Sequence, residues 1–135
     1  MSVALCPGES VRDAAIEEDA PVGSIGHQWS VVAPTHDRTE AITAFVVPTG
    51  WTLEHGSYDE LRSLDDDGLQ ELLPGVKYTA SVFTTGSEGR QSRITFTLKS
   101  FQRLTAGQLL VGKGDDTSSK VEDRNTFRSE ALSSC

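Results

Sequence analysis

One octet of the chain comes within a single residue of a phosphate-binding motif. Residues 107–114, GQLLVGKG, match seven of the eight positions of a P-loop, G-x-x-x-x-G-K-[ST]. The eighth position needs a serine or threonine hydroxyl to reach a magnesium ion, and here it is Gly114. The spacer between the first two glycines is largely apolar, which favours a strand over a phosphate cradle. The octet therefore predicts no nucleotide site.

A second candidate is the acidic run at 65–68, DDDG, which has the composition of a calcium loop. An EF-hand aligned on Gly68 would require an acidic residue at position 63 and a glutamate at position 74. The chain has Ser63 and Pro74 there. We interpret the run as a solvated acidic turn, with a weak calcium site at the end of a sandwich as the alternative.

Cysteine and histidine side chains are the remaining common metal ligands. Cys6 and Cys135 lie at opposite ends of the sequence, and the three histidines (His27, His36 and His55) share no ligand-like spacing with them. We therefore predict no metal site. For the cysteines, two free thiols in flexible arms are the favoured interpretation, and an end-to-end or intermolecular disulfide is the alternative.

The sequence also lacks local motifs for nucleophilic or acid–base catalysis. The sequence has no G-x-S-x-G elbow, and neither cysteine has neighbours that would activate it. Asp59 and Glu60 are adjacent carboxylates on a polar segment, where such pairs are ordinarily solvated. We therefore expect that the chain is not an enzyme and needs no cofactor.

Length and charge narrow the class of partner. The 135 residues suffice for one domain, and the formal net charge is −8, from 20 acidic and 12 basic residues. A surface of that sign repels phosphate backbones and anionic lipids, so we predict neither nucleic-acid nor membrane binding. The N-terminal segment lacks the basic start and apolar run of a secretion signal. The sequence does not identify the compartment, and it is compatible with a fragment of an extracellular protein or with a virion protein.

The first half of the chain predicts short strands behind an acidic arm. Residues 1–26 are expected to be a disordered arm or to hold a short helix capped near Ser10. Alternation at 29–33 and a β-branched run at 42–47 predict a hairpin, followed by a third strand that begins at 51–53. Residues 57–73 are ambiguous, with a helical turn near their start and a separate short element near 69–73.

The second half contains the clearest pattern. Residues 76–85 and 93–99 alternate between apolar and polar side chains, which predicts a β-hairpin joined by a flexible loop at 86–91. An edge strand or packing segment is expected within 104–111. From residue 112 to 135 the chain is polar and is predicted to be a flexible tail.

One stretch resembles a known family. Leu72-x-Pro74-Gly75-x-x-Tyr78 before an alternating strand is similar to the tyrosine corner of fibronectin type III and related immunoglobulin-like domains. The resemblance implies that Leu72 plugs the core, that Pro74 and Gly75 turn the chain, and that the Tyr78 hydroxyl bonds to the backbone just upstream. It extends over about residues 28–99, roughly half the chain.

These observations predict an all-β antiparallel sandwich at 27–111, of fibronectin type III or immunoglobulin-like type, between the polar arms at 1–26 and 112–135. Another sandwich, such as a jelly-roll coat domain, is the alternative fold. The expected function is non-catalytic, either protein–protein interaction or structural spacing. The candidate binding loop comprises Gly86, Ser87, Glu88, Gly89, Arg90 and Gln91.

The alternative function is a self-assembling structural protein, such as a virion coat or decoration protein, whose arms are ordered by neighbouring copies. Its partner would be further copies of the same chain rather than a different protein.

Overall fold

The computed structural model describes residues 1–20, 26–56, 68–86, 89–112 and 119–135. In these residues the elements, in chain order, are β1 (Ser10–Glu18), β2 (Gln28–Val32), β3 (Thr52–His55), β4 (Tyr78–Thr85), β5 (Gln91–Phe96), α1 (Leu98–Phe101), β6 (Gln108–Gly112), β7 (Ser119–Asp123) and α2 (Arg124–Ser133). The strands form a five-stranded sheet of order β3-β2-β1-β4-β5 and a two-stranded sheet of β6 and β7. All pairings between these strands are antiparallel, so the predicted all-β class is confirmed.

The central strand of the large sheet is β1, which corrects the prediction of a disordered or helical N-terminal arm. β1 pairs with β2 on one side and with β4 on the other. A bulge between Val11 and Asp13 shifts the register, and both Val11 and Ala14 are consequently buried. Ile16 continues the buried face two residues later. Short apolar side chains suit a strand that is covered by neighbours on both edges.

The core lies on one face of the large sheet. Residues that alternate along the paired strands supply it: Ala14, Ile16, Trp29, Val31, Tyr78, Ala80, Val82 and Phe96. The opposite face carries small and polar side chains at the intervening positions, among them Ala15, Ser30 and Ser81, which lie side by side in the register. Burial is nearly complete for Val31, Ile42, Tyr78, Ala80, Val82 and Phe96, and it is partial for Ala44, Leu72, Ile94 and Leu98.

Loop segments contribute the rest of the core, and this corrects the predicted hairpin of 29–33 with 42–47. β2 forms as expected, but it pairs with β1 and β3. Residues 43–46 make a turn in which Phe45 has a φ of +63° and the Val46 amide bonds to the Thr43 carbonyl at 3.2 Å. The ring of Phe45 packs edge-on against Trp29, with centroids 5.9 Å apart. The run therefore turns back onto the core and does not extend along the sheet.

One carboxylate ties these loops together. Asp37 accepts hydrogen bonds from the Thr39 amide at 2.8 Å and from the indole nitrogen of the buried Trp51 at 3.0 Å. Its own carbonyl accepts from the Val11 amide of β1 at 2.8 Å. A hydrogen bond from the Thr39 side chain is the largest cause that holds the pKa of Asp37 below its ordinary value, and the bonds from the Thr39 amide and the Trp51 indole add to it against the opposing effect of burial. Asp37 thus crosslinks the loop that follows β2 to the sheet.

The third strand and the second hairpin form where the alternation predicted them. β3 follows Trp51, and β4 pairs with β5 from Tyr78 opposite Phe96 to Phe83 opposite Gln91. β5 ends at Phe96, because Leu98 already begins α1. The helical turn expected near residue 58 lies outside the described residues. The element expected near 69–73 is a single bridge between Gly68 and Gln28 beside the buried Leu69.

The C-terminal residues are ordered, contrary to the prediction of a flexible tail. β6 forms within the segment expected to pack or to add a strand, and it pairs with β7. The Asp123 carboxylate caps α2 by accepting from the amides of Asn125 and Thr126. Cys135 then forms a disulfide with Cys6, across 129 residues of sequence. The prediction rested on local composition, which cannot reveal a disulfide between residues 129 positions apart.

Candidate functional site

The predicted binding loop connects β4 to β5. Gly86, Gly89 and Gln91 are exposed, whereas Ser87 and Glu88 lie outside the described residues. Arg90 occupies the base of the loop, where its amide donates to the Thr84 hydroxyl at 3.0 Å and its carbonyl accepts from the Thr84 amide at 2.8 Å. The backbone at the base of this loop is therefore held in register.

The Arg90 side chain is engaged in a partly buried ion pair. Its Nε and Nη2 atoms donate to the two carboxylate oxygens of Glu9 at 2.8 and 2.6 Å, and Glu9 is only 7% exposed. Glu9 also accepts from the Cys6 amide at 2.8 Å. The hydrogen bond from Arg90 is the largest cause that holds the pKa of Glu9 below its ordinary value, against the opposing effect of burial. Arg90 thus ties the hairpin to the segment before β1.

The predicted structural corner has the expected local geometry. Pro74 and Gly75 occupy the middle of a turn, and Gly75 has a φ of +78°, as position i+2 of a type II turn requires. The Tyr78 side chain is fully buried, and its hydroxyl accepts from the Leu73 amide at 2.7 Å. Leu72 is partly buried against the core. These residues shape the fold, and no reactive geometry arises around them.

A cleft of about 380 Å³ lies where α1 meets the small sheet. Eight residues line it: Thr97, Lys99, Ser100, Arg103, Leu110, Ser119, Lys120 and Val121. Three of them are cationic and three carry hydroxyl groups, in a chain whose net charge is −8. Such a set of donors can bind and orient an anionic group. Among the described residues that line it, none carries a carboxylate, imidazole or thiol that could serve as a general base or nucleophile.

The cations of the cleft differ in their neighbours. The ammonium group of Lys120 lies 2.7 Å from a Glu122 carboxylate oxygen, and this hydrogen bond is the main cause that raises the pKa of Lys120. In the described part of the chain, Lys99 and Arg103 contact no carboxylate. Sequence reasoning missed this cleft because its cations are single residues on separate elements, and only the spacing of Lys99 and Arg103 by one helical turn hinted at a shared face.

The near-miss P-loop is a structural segment. β6 occupies its apolar spacer, and the turn before it is closed by a bond from the Gln108 amide to the Thr105 carbonyl at 3.1 Å. Gly112 lies so close to β5 that an added Cβ would collide with the Arg93 carbonyl oxygen. Its glycine is therefore explained by packing between the two sheets.

The described residues contain neither a cluster of metal ligands nor a helix that could span a membrane. Across 1–20, 26–56, 68–86, 89–112 and 119–135, no three histidine, cysteine or acidic side chains converge as metal ligands would. Residues 65–67 of the acidic run lie outside these ranges. Neither α1 nor α2, the helices within the described ranges, is long and apolar enough to cross a membrane.

Comparison of this chain with protein-family models, with curated proteins and with solved structures found no match.

Proposed function

We propose that this chain is a non-catalytic β module that binds another protein through the loop between β4 and β5. The observation that carries the proposal is the anchoring of this loop. Its base is fixed by the partly buried Arg90–Glu9 pair and by the backbone bonds of Thr84, while Gly86, Gly89 and Gln91 face solvent. A loop that a rigid scaffold presents loses little conformational entropy on binding.

The surrounding chemistry supports a scaffold role. Glu9 and Asp37 are the described carboxyl groups whose pKa values are lowered, and both are saturated by hydrogen bonds that hold loops to the sheet. Shifted acid groups at a catalytic site would instead face a cleft. These two stabilise the fold.

The fold type belongs to the same proposal. The bond between the Tyr78 hydroxyl and the Leu73 amide is the hydrogen bond that defines a tyrosine corner, and it supports kinship with fibronectin type III or immunoglobulin-like sandwiches. The Cys6–Cys135 disulfide favours an oxidising compartment, because cytosolic thiols are kept reduced.

Affinity capture with matched variants tests the binding role. The immobilised chain would be compared with Gln91→Arg, at the loop, and with Gln70→Arg, an exposed position remote from it in sequence and with the same change of charge. We expect a protein from the native source to be retained by the wild type and by Gln70→Arg but lost with Gln91→Arg. Equal retention by all three chains would contradict a binding role for this loop.

Self-assembly is the second candidate, and one observation favours it. β3 is an edge strand whose only ladder partner among the described strands is β2, and its Thr52, Glu54 and His55 side chains are exposed. An open edge offers backbone groups to another copy. Light scattering over a concentration series distinguishes the two candidate functions. A monomer at high concentration would contradict self-assembly, and regular particles would contradict a monomeric binding module.

A further inference from the structure

We infer that the cleft between α1 and the small sheet, lined by Lys99, Arg103 and Lys120, is a binding site for a dianionic oxyanion such as phosphate or a phosphate monoester. This goes beyond the proposed partner-binding role, because the site is separate from the β4–β5 loop and is tested with small anions.

Three cations from separate elements converge on the cleft. Lys99 lies in α1, Arg103 lies in the turn after it, and Lys120 comes from β7, yet all three line one cleft. None of the described residues that line the cleft is acidic, although Lys120 also pairs with Glu122. In a chain with 20 acidic residues, this convergence of three cations favours a negative ligand.

Charge matching selects the kind of anion. Glu122 already neutralises Lys120, which leaves Lys99 and Arg103 without a carboxylate partner among the described residues. The two positive charges of Lys99 and Arg103 together match one dianion, whereas a carboxylate would neutralise only half of that charge. Phosphate monoesters carry close to two negative charges at pH 7. The planar guanidinium of Arg103 suits bidentate contact with such an oxyanion.

Hydroxyl groups complete the donor set. Ser100 Oγ accepts from the Thr97 amide at 3.1 Å, which leaves the hydroxyl hydrogen of Ser100 free to donate. Ser119, on the first residue of β7, supplies a further hydroxyl at the same cleft. Leu110 and Val121 add an apolar surface that lowers the local dielectric and strengthens the contacts of the charged groups.

The size of the cleft leaves room beside the anion. At about 380 Å³ it falls within the range of small-molecule sites, and a lone phosphate would fill only part of it. An organic group attached to the phosphate can therefore lie against Leu110 and Val121. A phosphate monoester with an apolar ring should bind more tightly than inorganic phosphate.

Isothermal titration with four probes tests the inference, using the full disulfide-bonded chain at about 0.1 M ionic strength, where distant surface charges are screened. The probes are inorganic phosphate, inorganic sulfate, phenyl phosphate and the monoanion benzoate. We expect phosphate and sulfate to bind with similar affinity, phenyl phosphate to bind several-fold more tightly, and benzoate to bind at least tenfold more weakly than phenyl phosphate. If phenyl phosphate binds more tightly than inorganic phosphate, the ligand is a phosphorylated small molecule. If the two bind equally, the ligand is the free phosphate ion.

Two variants with the same change of charge identify the site. Arg103→Gln should weaken phosphate binding about tenfold, since one charged hydrogen-bond partner is lost. Lys77→Gln removes an exposed cation that does not line the cleft, and it should change the Kd by less than twofold. Circular dichroism of both variants should match the wild type, because both side chains are exposed. Absence of binding at millimolar phosphate, or equal weakening in both variants, would overturn the inference.

Discussion

The large sheet and the C-terminal unit (β6, β7 and α2) are stabilised in different ways. The sheet is stabilised by burial: Trp29, Val31 and Tyr78 are at most 2% exposed, and they belong to one hydrophobic core cluster. The C-terminal unit has no fully buried residue in its strands or helix. It is attached by the Cys6–Cys135 disulfide, by the close approach of Gly112 to β5, and by an exposed ion pair of Arg128 with Glu40.

This difference teaches that two kinds of order coexist in one short chain. Burial of apolar surface contributes about 25 cal/mol per Å², so the sheet holds most of the folding free energy. A covalent link instead limits the freedom of the unfolded chain and keeps a weakly packed unit near its docking surface. Substitutions in the core and at the disulfide should therefore affect the free energy of unfolding and the local order of the C-terminal unit differently.

The largest effect is expected in the core of the sheet. Trp29→Ala should lower the free energy of unfolding by about 3–5 kcal/mol, because it removes a buried indole and its contact with Phe45. Leu132→Ala in α2, where the side chain is 39% exposed, should cost less than about 0.5 kcal/mol. Chemical denaturation measures both. Comparable losses would remove the distinction between the two regions.

Loss of the disulfide should come next. Replacing Cys6 and Cys135 together by serine should lower the free energy of unfolding by about 2–4 kcal/mol. Hydrogen exchange should also show that α2 amides lose protection while β1 and β4 amides keep theirs, since α2 has few other contacts. Unchanged protection of α2 would show that packing alone holds the helix.

The Glu9–Arg90 pair should have a smaller, pH-dependent effect. Glu9→Gln should cost about 2 kcal/mol at pH 7, since it removes the charge that Arg90 binds. The lowered pKa of folded Glu9 means that its contribution is fully present above the ordinary pKa, about 4.3, and is lost as pH falls through the lowered value. Unfolding curves of wild type and variant should therefore begin to converge as the pH falls below about 4.3, and they should coincide only below the lowered pKa. A difference that persists at low pH would assign the loss to packing.

Tyr78→Phe isolates one hydrogen bond within the sheet. It should cost about 1 kcal/mol or somewhat more, because the Leu73 amide loses its partner while the ring stays buried. The thermal midpoint measures the loss, and exchange of the Leu73 amide reports it locally. An unchanged midpoint would count against a structural corner.

The smallest effect is expected at the surface of α2. Arg128→Gln breaks an exposed ion pair with Glu40 and should change stability by less than about 0.5 kcal/mol. Thermal unfolding at low and high salt measures it. A loss above 1 kcal/mol would show that this contact helps to hold the C-terminal unit.

Prediction from sequence succeeded where the pattern is local. The alternation from 76 to 85 and the Pro74-Gly75 turn encode β4 and its corner through side-chain period and backbone preference, and both are present. It failed at β1, whose Ala14 and Ile16 appeared too small to anchor an element. Small side chains suffice there because β2 and β4 cover both edges, and β4 is about 65 residues away.

The candidate cleft was beyond local reasoning for the same reason. Lys99, Arg103 and Lys120 are unremarkable single residues in the sequence, and only the docking of β7 beside α1 brings them together. The favoured interpretation of Cys6 and Cys135 as free thiols was wrong, because the fold brings the two ends of the chain together in a disulfide.

The sequence by itself determined the all-β class, the hairpin of β4 and β5 and the tyrosine turn, because these follow from the period and backbone preferences of neighbouring residues. The tertiary structure alone decided that β1 is central, that Cys6 meets Cys135, and that the cations of the cleft converge. Each of these depends on residues far apart in the chain, which strand pairing, the disulfide and the docking of β7 beside α1 bring together and which no short segment encodes.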